Sequence, residues 1–138
     1  MSGELHVLKH AAVTDQVLKT FYEVYGELGP GFLESVYETS MAMALTHAGL
    51  AVRRQHPVAV HFRGSVVGEF RADLLVNDVV LLELKAASNL SREHEAQLIN
   101  YLRATPVEVG LLLNFGPRPV FKRFAFDNER KRGLRPVC

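Results

Sequence analysis

Residues 66–85 read VVGEFRADLLVNDVVLLELK, and the order of charged and apolar side chains in this stretch decides the fold class. Two apolar, β-branched runs flank Asn77-Asp78, which marks a turn, so the segment predicts a hairpin of strands over 66–76 and 79–85. Side chains alternate along a strand, so Phe70, Ala72, Leu74 and Val76 form the expected core face, and Glu69, Arg71, Asp73 and Leu75 the other. In the second strand Glu83 and Lys85 share a face with Val79 and Leu81. Ionised groups in an apolar sheet cost several kcal/mol unless paired or bound to a metal. A two-residue turn would set Asp73 opposite Leu82 and put the carboxylates on opposite sides of the sheet. An odd-length connection or a bulge, with Val76 opposite Val80, brings Asp73 opposite Glu83.

Outward from the hairpin, apolar residues recur at helical spacing over 5–28 and 32–48, separated by Gly29-Pro30-Gly31. A strand is expected over 57–62, closed by Arg63-Gly64-Ser65. Ser91 reads as the N-cap of a helix running to about Arg103, with Glu93 and Glu95 in its first turn. The last strands are expected over 107–115 and 120–126. The order α-α-β-β-β-α-β-β predicts an α/β sandwich with a mixed central sheet flanked by helices.

The chain has 138 residues, 48% hydrophobic and 22% charged, which suits one globular domain and excludes a disordered or fibrous chain. Its uncharged stretches are too short to span a bilayer, which takes about 18 apolar residues, and no membrane association is expected. The N-terminus lacks the pattern of a secretory signal, and the single Cys138 forms no internal disulfide, so a cytoplasmic location is expected. Net charge is +1, yet residues 118–138 hold seven basic side chains against two acidic ones. The division expected is a domain over 1–126 and a basic tail over 127–138, with Arg130, Lys131 and Arg132 placed to meet phosphates. His94-Glu95 is not followed by a second histidine at the spacing of a zinc protease, and the glycines between the first helices lack a phosphate-loop lysine.

Asp73 and Glu83, converging from adjacent strands, would repel unless a hard cation relieves them, and all-oxygen ligands favour Mg²⁺ or Mn²⁺ over Zn²⁺. A lysine beside such an ion can orient a water and neutralise charge on a phosphate. Asp73 followed by Glu83-Leu84-Lys85 resembles the central signature of the PD-(D/E)XK nuclease superfamily, with Ala72 where a proline is usual. Gly31-Phe32-Leu33-Glu34-Ser35-Val36-Tyr37 is similar to the motif of the small GxxExxY protein family placed within it, and Gln97 and Tyr101 match that family's pattern.

The resemblance implies a restriction-endonuclease-like fold and an Mg²⁺- or Mn²⁺-dependent nuclease cutting phosphodiester bonds in nucleic acid, with DNA the expected substrate. It makes Glu34, Asp73 and Glu83 metal ligands and Lys85 the general base or water-positioning residue. Gln97 would project toward the site, with Tyr37 and Tyr101 lining or buttressing it near substrate. A homodimer is expected by analogy with small nucleases that cut both strands. Two other functions fit the same residues: a catalytically silent nucleic-acid-binding or adaptor protein on this fold, and a metal-dependent phosphoesterase acting on small nucleotides.

Overall fold

The computed structural model describes residues 8–131. Its elements are α1 (Ala11–Leu28), α2 (Glu34–His47), β1 (Val52–Phe62), β2 (Ser65–Val76), β3 (Val80–Lys85), α3 (Arg92–Ala104), β4 (Val109–Phe115) and β5 (Pro119–Ala125). The five strands lie in the order β1-β2-β3-β4-β5. All neighbours are antiparallel except β3 and β4, which are parallel. Parallel neighbours need a crossover connection, and α3 provides it. The expected α/β sandwich with a mixed sheet is therefore the architecture found. Among the described residues no helix is long and apolar enough to cross a membrane.

Each face of the sheet buries its own apolar layer. Phe21 and Val24 of α1 and Tyr37, Met41 and Leu45 of α2 cover Leu74, Val76, Leu82, Leu84, Leu111 and Leu113. Leu98, Tyr101 and Leu102 of α3 cover Leu75, Leu81 and Leu112 on the other. Strands covered on both sides read as continuous apolar runs, which is why β3 and β4 show little alternation of polarity. The expected core face is split: Leu74 and Val76 pack under α1 and α2, whereas Ala72 packs on the α3 side, across the break in pairing opposite Asp73, and Phe70, 49% exposed, lies against Tyr101 of α3. Residues 5–7 of the expected first helix lie outside the described residues, and the helix starts at Ala11 after His10 in a left-handed conformation. Ser91 caps α3 as expected: its hydroxyl accepts from the His94 N–H, and His94 Nδ1 accepts from the Ser91 N–H in return.

The fold continues past residue 126, where a tail was expected. The Phe126 N–H donates to Glu108 O, a short 3₁₀ turn spans Asn128–Arg130, and Lys131 is 3% exposed. Its ammonium donates to the carbonyls of Thr105 and Val107 at 2.7 and 2.6 Å. Burial lowers its pKa to about 8.

The chain leaving β3 is clamped to β4. Asn114, paired with Lys85 across the parallel ladder, accepts from the Ala87 N–H and donates to Ala87 O, both at 2.9 Å. Gly116 completes the clamp, since a Cβ there would stand 2.1 Å from Ala87 O. Asn114→Ala leaves both Ala87 groups without their partner, and a loss of about 3 kcal/mol in unfolding free energy is expected from urea denaturation. A loss below about 0.5 kcal/mol would show that the clamp does not hold the end of β3.

Candidate active site

The β2–β3 ladder pairs Val76 with Val80, Leu75 with Leu81 and Leu74 with Leu82. The connection is the odd-length one expected, residues 77–79, with Asn77 and Asp78 both at positive φ (50° and 59°). Asn and Asp tolerate that left-handed region better than other side-chain-bearing residues. At the next position side chains take over from the ladder: the Asp73 N–H donates to Glu83 Oε1 at 3.2 Å and the Leu84 N–H donates to Asp73 Oδ2 at 2.8 Å. Glu83 is 3% exposed; burial, then the charge of Asp73, pushes its pKa up to about 8. Burial also raises Asp73, opposed by the Leu84 N–H. Protonation of Glu83 at neutral pH leaves one charge on the two acids, which lets them lie side by side.

Lys85, two residues on along β3, donates from Nζ to Gln97 Oε1 of α3 at 3.3 Å. One turn further along α3 stands Tyr101, whose hydroxyl pKa is raised by burial and by the charges of Glu83 and Asp73. Asp73, Glu83, Lys85, Gln97 and Tyr101 therefore meet at one place, between the end of β3 and the face of α3.

The other expected site residues do not join them. Glu34 is exposed in the first turn of α2. Tyr37 is fully buried: its hydroxyl donates to Gly29 O at 2.6 Å and accepts from the Phe32 N–H at 3.2 Å, while its ring stacks on Phe115 at 4.3 Å. It braces the Gly29-Pro30-Gly31 loop, where Gly29 and Gly31 take φ of 69° and 109°, and offers no surface to a substrate. Lys131 spends its ammonium on two carbonyls, and Arg130 is exposed over the Phe126 ring. Arg132 lies outside the described residues.

Sequence reasoning missed Glu38. Its negative charge is close enough to raise the Asp73 pKa, and it accepts from Arg54 at 3.0 Å and Gln55 at 2.7 Å. The signal lay in its helical spacing to Met41, Ala42 and Leu45, which puts it on the buried face of α2.

Among the described residues no group of three His, Cys, Asp or Glu side chains could hold a metal ion. Asp73 and Glu83 nonetheless fit a hard divalent cation: both are oxygen donors, and two acids brought together with Glu83 only 3% exposed make a place where positive charge is needed. Mg²⁺ sites commonly use one or two carboxylates and leave other positions to water and phosphate oxygens.

A family model described as the PD-(D/E)XK nuclease superfamily matches residues 11–124. Among solved structures, that of SSO0001 is similar at a TM-score of 0.54 and 18% identity, over 67% of this chain and 50% of that one, a likeness of fold. The chain thus spans half the length of that protein. An alkaline exonuclease (LHK-Exo) from Laribacter hongkongensis aligns at a TM-score of 0.42 and 11% identity, over 89% of this chain and 74% of that one. No curated protein matches the chain in sequence.

The raised Glu83 pKa fixes the sign of a pH effect. Between the ordinary carboxyl value of 4.5 and about 8 the folded chain holds a proton that the unfolded chain has released, so stability falls as pH rises through that window. In EDTA, wild type is expected to lose on the order of a few kcal/mol between pH 5 and 9, and Glu83→Gln to lose much less, becoming the more stable chain at the alkaline end. Parallel urea titrations of the two chains check this; equal pH slopes would refute it.

Proposed function

Because this chain belongs to the PD-(D/E)XK nuclease superfamily, we propose that it is a metal-dependent nuclease hydrolysing phosphodiester bonds in nucleic acid, with DNA as substrate. The observation that carries this reading is the placement of Asp73 and Glu83 side by side where the β2–β3 ladder gives out, each carboxyl held by a backbone N–H, with Lys85 two residues on from Glu83 and held by Gln97. Asp73 and Glu83 are the residues that would hold Mg²⁺ or Mn²⁺. Such an ion supplies Lewis-acid polarisation of a phosphate oxygen and a more acidic water. Lys85 directs the attacking water and neutralises charge building on the phosphate, and Gln97 Oε1 fixes where the ammonium points. Tyr101 walls the carboxylates from solvent on the α3 side.

Within the superfamily we place the chain in the GxxExxY group. Two of that motif's letters have visible work, Gly31 in its positive-φ turn and Tyr37 bracing the loop. Arg130 remains the proposed phosphate contact at the basic end of the chain. A homodimer belongs to the same reading and is checked by sedimentation.

Lys85→Ala is expected to cut turnover by about 10²- to 10⁴-fold with nucleic-acid binding retained. In a preparation free of contaminating nuclease, intact cleavage by this variant would remove Lys85 from the mechanism. Mg²⁺ should raise the melting temperature of wild type and leave a Asp73→Asn/Glu83→Gln double variant unmoved. Equal stabilisation of both chains would place the ion elsewhere. Binding of nucleic acid in Mg²⁺ or Mn²⁺, with no DNA or RNA cut, would instead favour the silent binding protein.

A further inference from the structure

Beside the carboxylates a cleft of about 600 Å³ opens between α3 and the β1–β2 hairpin. Sites for small organic ligands span about 300–1,000 Å³. Gln97 and Tyr101 line this cleft, and Gln97 also accepts from Lys85, so the cleft adjoins the active-site groups. Its lining mixes small apolar side chains, Ala59 and Val60 from β1 and Ala96 from α3, with the polar His61, Gln97 and Asn100. Phe70 stands in it half exposed, its ring centre 6.0 Å from that of Tyr101 at a tilt of 38°. Gly68 leaves room for that ring, since a Cβ there would lie 3.0 Å from Phe70 Cε2.

This lining is not built for a sugar-phosphate backbone. Arg103 and Glu93 balance in formal charge ten residues apart on α3, with His61 from β1, so the cleft holds no cluster of cations for a run of phosphates. A nucleobase fits: its faces stack on an aromatic ring, and its edge finds a donor and an acceptor in the Asn100 amide. In a duplex both faces of a base are already stacked and its edge is paired, so only an unpaired or extruded base can enter.

Resting on the hydrolase reading above, we propose that the cleft receives an unpaired base next to the scissile phosphate, stacked on Phe70, so that the substrate is a single strand or a duplex end with unpaired nucleotides. Affinities of a labelled single strand and of a blunt duplex of the same sequence, measured in Mg²⁺ on the slowly cutting Lys85→Ala chain, test this. Adding Phe70→Ala should weaken the single strand by about 5- to 150-fold, the range of one stacked base, and leave the duplex unchanged. Phe70→Trp should restore it. Ala96→Leu, which fills the cleft from the exposed face of α3 without altering the hairpin, should reproduce the selective loss. Equal loss for both substrates, no loss for either, or no binding of the single strand at all would overturn the inference. The two readings fail separately. If wild type cuts nucleic acid and Phe70→Ala changes neither binding nor cutting, the base pocket falls and the hydrolase stands. A strand bound through Phe70 yet never cut by wild type would leave the base pocket standing and remove the hydrolase.

Discussion

The register of β3 against β2 is the constraint on which the site depends. Side chains alternate with period two, so a slip of one residue would carry Glu83 and Lys85 to the face covered by α1 and α2 and place Leu82 and Leu84 against α3. The connection over 77–79, with consecutive left-handed residues at Asn77 and Asp78, prevents that slip. Buried leucines on both faces reinforce it, because each apolar layer accepts β3 in only one phase. The chemistry is thus fixed by the same packing that stabilises the sheet.

Holding two carboxyls in a sheet interior works against stability, and the surrounding structure shows how that is borne. Two backbone N–H groups that would otherwise have bonded within a ladder are given to carboxyl oxygens. Protonation of Glu83, whose pKa burial raises to about 8, removes one of the two charges at neutral pH. The two apolar layers, sealed by Phe21, Tyr37, Phe115 and the leucines of β4, supply the burial that offsets the remaining cost. Strain and unfavourable charge collect where a ligand is to be bound, and the rest of the domain is ordinary close packing.

Much of this was legible in the sequence, for identifiable reasons. The order of helices and strands follows from the switch between helical and alternating periodicity, and the register of the central hairpin follows from requiring Asp73 and Glu83 to meet. What misled was information that periodicity does not carry. Glu34 and Glu38 lie on one helical stripe, and spacing alone cannot tell which of them reaches the sheet; the first turn of α2 overhangs it and leaves Glu34 in solvent. Tyr37 reads equally well as a ligand contact or a brace until the Gly29 carbonyl is seen to claim its hydroxyl. Lys131 counts as a tail charge in any composition tally, and only the fold shows the two carbonyls that draw it inside. Phe70 and Ala72 belong by alternation with Leu74, but alternation does not show the break beside Asp73 that sends them to the α3 side.

Glu38 shows how the charge balance at the site extends beyond the pair. A third carboxylate near Asp73 adds to the repulsion that already favours protonation, and its field is felt there. Arg54, 3.0 Å from Glu38, compensates most of that charge and holds the side chain together with Gln55, whose left-handed backbone (φ 52°) breaks the regular pairing of β1 beside Asp73. The irregularity in β1 and the salt bridge on α2 therefore act at one place, holding a third acid near the pair with its own counter-charge. A divalent cation at Asp73 and Glu83 would compete with the proton that burial favours on Glu83, so its binding strengthens as pH rises.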